Sequence, residues 1–557
     1  MNRTRLVSAR FNTTKSLPLT SIAILLLLLL PTRLATAAEP TTPAAQGTAA
    51  AVKPPQAKVT ISKDTTRIME PLTADGYPDY LEALNRKYSR GVTPENNAVV
   101  ALWRIMGPNG VSEKIRTEYF ARLGIPVPPV KGNYYLSTHE YLEKRRGDKV
   151  AQEETNQLYD QFDQAQQRPW TKKEFPLLAE WLAANEHVFV PLAEMSRRAK
   201  WYSPQISTQE RQRLLTANME YMSLARDMAR LLAVRAMLQL GEGKVDQAME
   251  NVVDLVRFGN LVMQGPGLVD ALVGIAICSV ANEPMAALAQ HGKVTAKQAS
   301  RFRQQVQAVA VTTRFANRLD ESERYLGLEA ACDIASNGAS ALRLLAALDP
   351  TDKLNERQEA IAKHWNQLPI DGDSLLANTN QWYDRVVAVA NSATLAQQKE
   401  RKNKLDSALK ALTRAGDEFQ VKIAAMTPNE FPGRAEATQK VGEMMVAIIL
   451  PATSACLDAN ARHETSTTLN DLVLALAGYL ADHGEYPERL EQLVPAYMAK
   501  LPGDAFSGAK FCYQRTKDGF KLYSVGANEK DEGGRWMNDQ PAGDDLLREI
   551  PQPKRKP

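Results

Sequence analysis

The sequence predicts a mainly α-helical protein with a small α+β domain at its C-terminal end. Apolar residues recur at helical spacing through residues 208–307, on faces broad enough to pack on more than one side. Another long helical pattern, rich in charge, covers residues 392–426. Two β-rich runs joined by an Asp-Gly turn follow after residue 510. Together these patterns predict a large helical body, with a solenoid-like arrangement as one option, and a compact C-terminal module.

The first 37 residues are organised like a secretory signal peptide. A basic start precedes an apolar run over residues 22–30, and Ala35-Thr36-Ala37 offers the small-x-small pattern of a cleavage site. The run is shorter than the roughly 20 residues that span a bilayer. We therefore expect cleavage after Ala37, export to the periplasm or beyond, and no transmembrane span afterwards. Residues 38–62, rich in Ala, Thr and Pro, predict a disordered linker.

Removal of the signal peptide changes the charge. The whole chain has 68 basic and 64 acidic residues, a formal charge of +4. Residues 1–37 hold five basic and no acidic residues, which leaves 63 against 64 and a charge of −1. A nearly neutral protein lacks the basic face that nucleic-acid phosphates require, so we expect no nucleic-acid partner.

Four cysteines do not define a disulfide framework or a zinc site. Three pairings are open, no spacing favours one, and burial as small apolar residues is the simpler expectation. The sequence has no Cys-x-x-Cys and no His-Glu-x-x-His motif.

Residues 63–205 are expected to form a mixed, mostly helical N-terminal subdomain broken by prolines, including a cluster at positions 126–129. Aromatic and polar side chains crowd together near its end. This composition is typical of a cleft that binds a saccharide or a peptide. The alternative is that cationic stems stack on tryptophan rings at a subdomain junction. The candidate cleft residues are Trp181, Glu186, Arg197, Trp201 and Tyr202.

Residues 206–464 are expected to form the helical body. Within it, the chain around Gly241 resembles a single tetratricopeptide-type unit, Leu238-Gln239-Leu240-Gly241 followed by residues 243–248. The resemblance implies an antiparallel pair of helices. A third, almost wholly apolar helix is predicted over residues 268–280, flanked by Asp270 and Glu283. These two acids could act as acid and base, although helix-terminal carboxylates more often cap helices or pair with arginines.

Residues 465–557 are expected to form the α+β module. An apolar helical face ends at Gly484, and Tyr486-Pro487 prevents the helix from continuing. Strands are predicted over residues 510–515 and 520–524, joined through Asp518-Gly519. Ser507 and Lys510 form a Ser-x-x-Lys pattern that catalyses acyl transfer in other proteins, but there it opens a helix, whereas here it precedes a strand.

The order of motifs in this module resembles the globular domain of type II secretion pseudopilins, in particular the major pseudopilin. The motifs are Gly-x-Tyr-Pro at residues 484–487, Leu-Pro-x-Asp-x-Phe-x-Gly at 501–508, Leu-Tyr-Ser-x-Gly at 522–526, and a Gly-Gly loop with terminal acids. The resemblance covers about 80 residues. It implies a helix packed on a small antiparallel sheet. The apolar segment before the module, residues 444–450, is much shorter than the long apolar helix through which pseudopilins assemble, so we do not infer their function from the fold.

The resemblance also implies a calcium-stabilised loop. Carried over by motif position, its ligands would be Asp531, Asp544 and Asp545, with Asn528 as a further candidate. Calcium prefers six to eight oxygen ligands from carboxylates, amides and backbone carbonyls, and this segment is rich in them. The alternative is a solvated acidic loop without metal.

These patterns favour an exported, non-enzymatic scaffold of the bacterial cell envelope that binds a protein or peptide partner. Apart from calcium, no cofactor is expected. The alternative is an extracytoplasmic hydrolase that acts on a polymer through carboxylates in a cleft of the helical body, because such catalysis leaves little trace in one sequence.

Overall fold

The computed structural model describes residues 58–147, 152–207, 214–217, 219, 221–309, 315–338, 365–537 and 539–551. The expected signal peptide, residues 1–37, lies outside the described residues, as does most of the expected linker. The end of that linker is packed on the protein. Val59 is buried, and both the backbone N–H and the hydroxyl of Thr60 donate to the carboxylate of Asp373, at 2.7 and 2.6 Å.

The protein is mainly helical, as expected, with a small antiparallel sheet near its C-terminus. A π-helix, Leu319–Glu323, separates α13 from α14. The helices are α1 (Tyr80–Tyr88), α2 (Ala98–Met106), α3 (Glu113–Arg122), α4 (Thr138–Arg146), α5 (Gln152–Gln167), α6 (Pro176–Ala184), α7 (Phe189–Ser196), α8 (Tyr221–Gly241), α9 (Val245–Val262), α10 (Leu268–Val280), α11 (Asn282–Ala289), α12 (Ala296–Val309), α13 (Phe315–Arg318), α14 (Arg324–Asn337), α15 (Gly372–Ala390), α16 (Leu395–Ala425) and α17 (Arg434–His483).

Side-chain caps fix several helix starts. Asn97 accepts from the N–H of Val99 at the start of α2, and Asp371 accepts from the N–H of Ser374 at the start of α15. Each satisfies a backbone donor that has no partner inside its helix. At the other end of the chain, Gly484 terminates α17 in the left-handed conformation, with φ +77°.

Helices α8 and α9 form the expected antiparallel hairpin. Helix α8 ends at Gly241, which lies against the backbone of Trp170. Only glycine fits there, because a Cβ at Gly241 would lie 2.0 Å from the Trp170 carbonyl oxygen. The hairpin contributes the largest share of a core that also takes in α2, α6 and α7. Helix α10 follows over the residues predicted for it.

The longest helix, α17, has 50 residues and continues through Pro451. A proline in a helix interior can kink or break the helix, but this one does not end it. A proline removes one backbone hydrogen bond, but the residues around it pack on α15 and α16, and this packing offsets the loss. Helix α17 contacts α10, α11, α12, α15 and α16. A solenoid repeat contacts only its neighbours, so the body is organised around one central helix instead.

Two helical stretches are long and apolar enough to cross a membrane, residues 268–289 and 434–483. In their most apolar windows, 67% and 56% of the residues are buried inside the protein. The first comprises α10, which was predicted, and α11, which was not. Core helices that are packed inside a protein can be equally long and apolar, and more than half of each stretch is buried in this way.

The C-terminal sheet has three antiparallel strands in the order β1 (Cys512–Arg515), β2 (Phe520–Ser524) and β3 (Leu546–Ile550). The first two strands confirm the predicted hairpin. The third strand was not predicted. It pairs with β2 so that Ser524 lies opposite Leu546. One face of the sheet carries Phe520 and Leu522 into a core shared with α17.

The module is joined closely to the body. The expected domain boundary between residues 464 and 465 falls inside α17. From β3, Arg548 donates to Asn470 and Ser466 on that helix. Burial lowers the pKa of Arg548 to about 10, and the charge of Glu283 on α11 acts in the opposite direction. Ala289 and Ala299, from α11 and α12, complete the same core.

Candidate functional site

The candidate site lies in the loop that joins β2 to β3. Because the two strands are antiparallel and Ser524 pairs with Leu546, the two ends of the loop meet at the same end of the strand pair. The loop returns over the outer face of the sheet. There the hydroxyl of Tyr523 donates to Asp531 at 2.9 Å, and Gly534 approaches the side chain of Leu547.

Three carboxylates converge in this loop. One oxygen each from Glu532, Asp544 and Asp545 lies within 4.8 Å of the other two. Asp545 is completely buried, whereas Glu532 and Asp544 are partly exposed. Three carboxylates at this separation repel one another unless a proton or a cation is shared among them.

Backbone donors hold the carboxylates in place. Oδ2 of Asp545 accepts from the N–H groups of Glu532 and Gly534, at 3.1 and 2.7 Å. Oδ2 of Asp544 accepts from the N–H of Asn528 at 3.0 Å. Gly526 makes room for this arrangement, since it has φ +65° and a Cβ there would lie 2.3 Å from the Asp544 carbonyl oxygen.

Two oxygens of the cluster have no hydrogen-bond partner. Oδ1 of Asp544 and Oδ1 of Asp545 are both buried from solvent and accept no bond. An ionised oxygen in that state is costly without a positive charge nearby. Burial and the neighbouring Glu532 raise the pKa of Asp545 to about 6. The amide of Asn528, which donates to Glu532 at 2.6 Å, lowers the pKa of Glu532.

Hard oxygen ligands, orphaned carboxylate oxygens and left-handed glycines fit a divalent cation such as Ca²⁺. Glu532, Asp544 and Asp545 would hold the ion. When bound, it would supply positive charge that neutralises the cluster and fixes the loop.

Of the four expected ligands, Asp544 and Asp545 belong to this cluster, and Asn528 contacts it through its N–H to Asp544 and its side-chain amide to Glu532. Asp531 points to the sheet, where its Oδ1 accepts from Tyr523 and from the N–H of Gly533 at 2.9 Å. The Oδ1 of Asn528 accepts from the N–H of Lys530 at 2.6 Å. Glu532, which was not chosen from the sequence, takes the place of Asp531. Adjacent residues in a loop face different ways, and spacing alone does not show which faces inward.

The aromatic residues of the expected cleft belong to the core. Trp181 is fully buried and donates from Nε1 to the Leu136 carbonyl oxygen at 2.9 Å. Trp201 packs between Tyr221 and Phe258, and the hydroxyl of Tyr202 donates to Asn85 at 3.2 Å. These rings stabilise the interior and do not offer a face to a ligand in solution.

The charged residues of the expected cleft form ion pairs apart from those rings. Glu186 accepts from Arg235 at 2.8 Å, and the Arg235 guanidinium lies over the Phe189 ring. Arg197 pairs with the buried Asp254 at 3.5 Å. The stacked cation here is Arg235 on a phenylalanine ring, whereas the alternative interpretation placed cationic stems on tryptophan rings.

The other catalytic candidates also have structural partners. Asp270 caps α10 through the N–H of Gly267 and accepts from the hydroxyl of Tyr221 at 2.6 Å. Burial raises the pKa of Asp270. In the Ser-x-x-Lys pattern, Ser507 donates to Asp504 and Lys510 pairs with Glu491, so the two residues have different partners.

Comparison of the chain with protein-family models, curated proteins and solved structures found no match, so the loop is interpreted from its own geometry.

Proposed function

We propose that the protein is an exported, non-catalytic scaffold of the bacterial cell envelope, whose pseudopilin-like C-terminal module is held in shape by calcium. The main support for a bound cation is the convergence of the Glu532, Asp544 and Asp545 carboxylates. One oxygen of each aspartate in this cluster is buried and has no hydrogen-bond partner. The signal-like N-terminus supports export. A scaffold is supported by the apolar helical faces, by the lack of Cys-x-x-Cys and His-Glu-x-x-His motifs in the sequence, and by the separate partners of Ser507 and Lys510.

The cation would act on structure and not on a reaction. Carboxylates that accept from the loop's own backbone N–H groups hold the loop between β2 and β3 in shape. Neutralising these carboxylates removes their mutual repulsion and keeps the loop on the outer face of the sheet. A calcium-rich environment outside the cell would supply the ion.

Thermal unfolding of the full chain tests whether the protein binds Ca²⁺. Saturating Ca²⁺ is expected to raise the melting temperature above that in chelator, since a ligand at 100 times its Kd contributes about 2.7 kcal/mol. Glu532→Gln and Asp544→Asn should reduce this shift. Asp531→Asn is the matched control, because Asp531 lies in the same loop but bonds to Tyr523. Equal melting curves in Ca²⁺ and chelator would refute the proposal.

Crosslinking in the intact cell envelope tests the scaffold role separately. We expect a reproducible protein partner, identified by mass spectrometry. Recovery of no protein partner would count against the scaffold.

The hydrolase alternative has less support. Its leading acids, Asp270 and Glu283, have different partners: Asp270 is engaged by Tyr221 and Gly267, and Glu283 interacts with Arg548. A polymer hydrolase needs two carboxylates that face one open cleft.

A further inference from the structure

One ion pair joins the loop between β2 and β3 to the helical body. This loop, residues 525–545, is called here the cation loop. Lys399, near the start of α16, donates from Nζ to Oε1 of Glu529 at 2.6 Å. Among the described residues, the other hydrogen bonds of the cation loop stay inside the C-terminal module. Within that part of the chain, the pair is therefore the one polar link between the loop and the body.

Glu529 is next to the residue that holds two of the three carboxylates. The backbone N–H of Asn528 donates to Oδ2 of Asp544 at 3.0 Å, and its side-chain amide donates to Oε1 of Glu532 at 2.6 Å. The N–H of Glu529 donates to the Gly526 carbonyl oxygen at 3.4 Å, which closes a four-residue turn. A shift of Glu529 therefore moves Asn528 and, with it, two of the carboxylates proposed to bind the cation.

The backbone conformation of Glu529 indicates that its side chain has a role. Glu529 has φ +59°, in the left-handed region, which is strained for a residue with a Cβ. Glycine adopts this conformation without strain, and Gly526, Gly533 and Gly534 do so elsewhere in the loop. A glutamate at this position keeps the strain but supplies the carboxylate that Lys399 binds.

Lys399 reaches the loop from a fixed helix. The hydroxyl of Thr394 caps the start of α16 by accepting from the N–H of Gln397, and the helix packs along α17. The side chains of Lys399 and Glu529 are 38% and 42% exposed, so the pair lies at the surface. Because exposed ion pairs contribute little to overall stability, its effect is expected on the position of the loop and not on the stability of the fold.

We propose that Lys399 is a positioning residue for the cation loop. Through Glu529 it holds Asn528, and so Asp544 and Glu532, near the arrangement that binds Ca²⁺. Ligands that are held in their bound arrangement before the ion arrives lose less entropy when it binds. The inference rests on the proposed cation site and goes beyond it, because it makes the helical body part of what sets the affinity for Ca²⁺.

The charge of Lys399 and its positioning role have opposite effects on affinity. By charge alone, loss of Lys399 would leave Glu529 unpaired near the site and would strengthen Ca²⁺ binding. By position, the same loss frees the loop and weakens binding. The double variant Lys399→Met/Glu529→Gln separates the two effects, because it leaves the net charge unchanged and removes only the bond.

Isothermal titration of the full chain with Ca²⁺ measures the affinities. The double variant should weaken binding about two- to fivefold, the range expected for an exposed ion pair. Glu529→Gln alone should weaken it further, because Lys399 is then an unpaired positive charge. Lys399→Arg, which keeps the charge and the donor, should bind Ca²⁺ like the unmodified protein. Lys404→Met is the matched control, because Lys404 lies on the same helix and pairs with Glu400.

Hydrogen exchange provides a second readout, which a purely structural role of the pair would not change. Coupling between two sites is reciprocal, so Ca²⁺ should slow backbone exchange in the first two turns of α16. The double variant should abolish this protection. Equal melting temperatures of all variants in chelator would show that the fold is intact.

A double variant that binds Ca²⁺ as tightly as the unmodified chain would overturn the inference and leave the cation site standing. Tighter binding by the Lys399→Met variant would show that the lysine acts by charge, which also overturns it. An equal loss of affinity in Lys404→Met would do the same. Absence of Ca²⁺ binding by the unmodified chain would refute the cation site itself and this inference with it.

Discussion

Arg303 on α12 and Asp471 on α17 form a bidentate ion pair, with Nε to Oδ1 and Nη2 to Oδ2 both at 2.7 Å. The two side chains are only 16% and 23% exposed. Arg303 also donates to the Tyr497 carbonyl oxygen at 2.8 Å. One side chain thus joins the helical body to the long helix and to the module beyond it.

Removal of this pair should destabilise the protein. Arg303→Ala leaves Asp471 without its main partner in a poorly hydrated place, and we expect a loss of about 2–3 kcal/mol in the free energy of unfolding by urea. Arg301→Ala is the control on the same helix. Its pair with Asp246 is more than half exposed and is worth about 1 kcal/mol or less. Equal losses in both variants would contradict this account.

Glu323 should make stability depend on pH. Burial raises its pKa from 4.5 to about 7, so the folded protein keeps a proton that the unfolded chain releases. The stability that this bound proton contributes is fully present below pH 4.5 and is lost as the pH rises to about 7. The loss in the free energy of unfolding is on the order of 3 kcal/mol. Glu323→Gln should remove this fall, as measured by urea unfolding between pH 4 and 8. Parallel profiles for both proteins would disprove it.

Gly526→Ala should damage the cation loop more than Gly533→Ala does. Both glycines have positive φ, so alanine costs about 1 kcal/mol of backbone strain at either position. Only at Gly526 would the Cβ also meet the carbonyl oxygen of Asp544; at Gly533 nothing lies within 4 Å. We expect Gly526→Ala to lower the melting temperature further and to abolish the calcium response. Retention of a normal response would argue against the cluster as the ligand set.

Trp181→Ala should unfold the N-terminal subdomain more readily. Loss of a fully buried tryptophan typically costs about 3–5 kcal/mol. Glu186→Ala, which removes a largely exposed partner of Arg235, should change stability by less than about 1 kcal/mol. Urea unfolding followed by circular dichroism measures both. If Trp181→Ala were as stable as the unmodified protein, the packing described for this ring would be wrong.

Much of the secondary structure could be predicted from local patterns. Helices α9, α10 and α16 and the first two strands follow from apolar spacing, turn residues and caps. The third strand could not, because Leu546–Ile550 does not alternate clearly between apolar and polar residues and is stabilised by pairing with β2. The continuity of α17 through Pro451 depends on packing against distant helices. Such contacts are set by the whole fold.

The candidate site was found in part. The two terminal aspartates were predicted because the resemblance to major pseudopilins carries them over by motif position. Glu532 was missed because a change of one residue reverses the direction of a side chain in a loop held by glycines. Trp181 and Tyr202 suggest a cleft by composition, but composition does not distinguish an aromatic ring that lines a surface from one that fills a core.

The 50 residues of α17 extend about 75 Å along the helix axis, at ~1.5 Å per residue, from the body to the sheet. Within the described residues, α17 runs without interruption from the body into the module. Tension applied to strand β3 would pass along this rod to α12 and α16 through their packing and through Arg303. A mechanical load on the C-terminal sheet would therefore be shared with the helical body, because α17 belongs to both and Arg303 joins them.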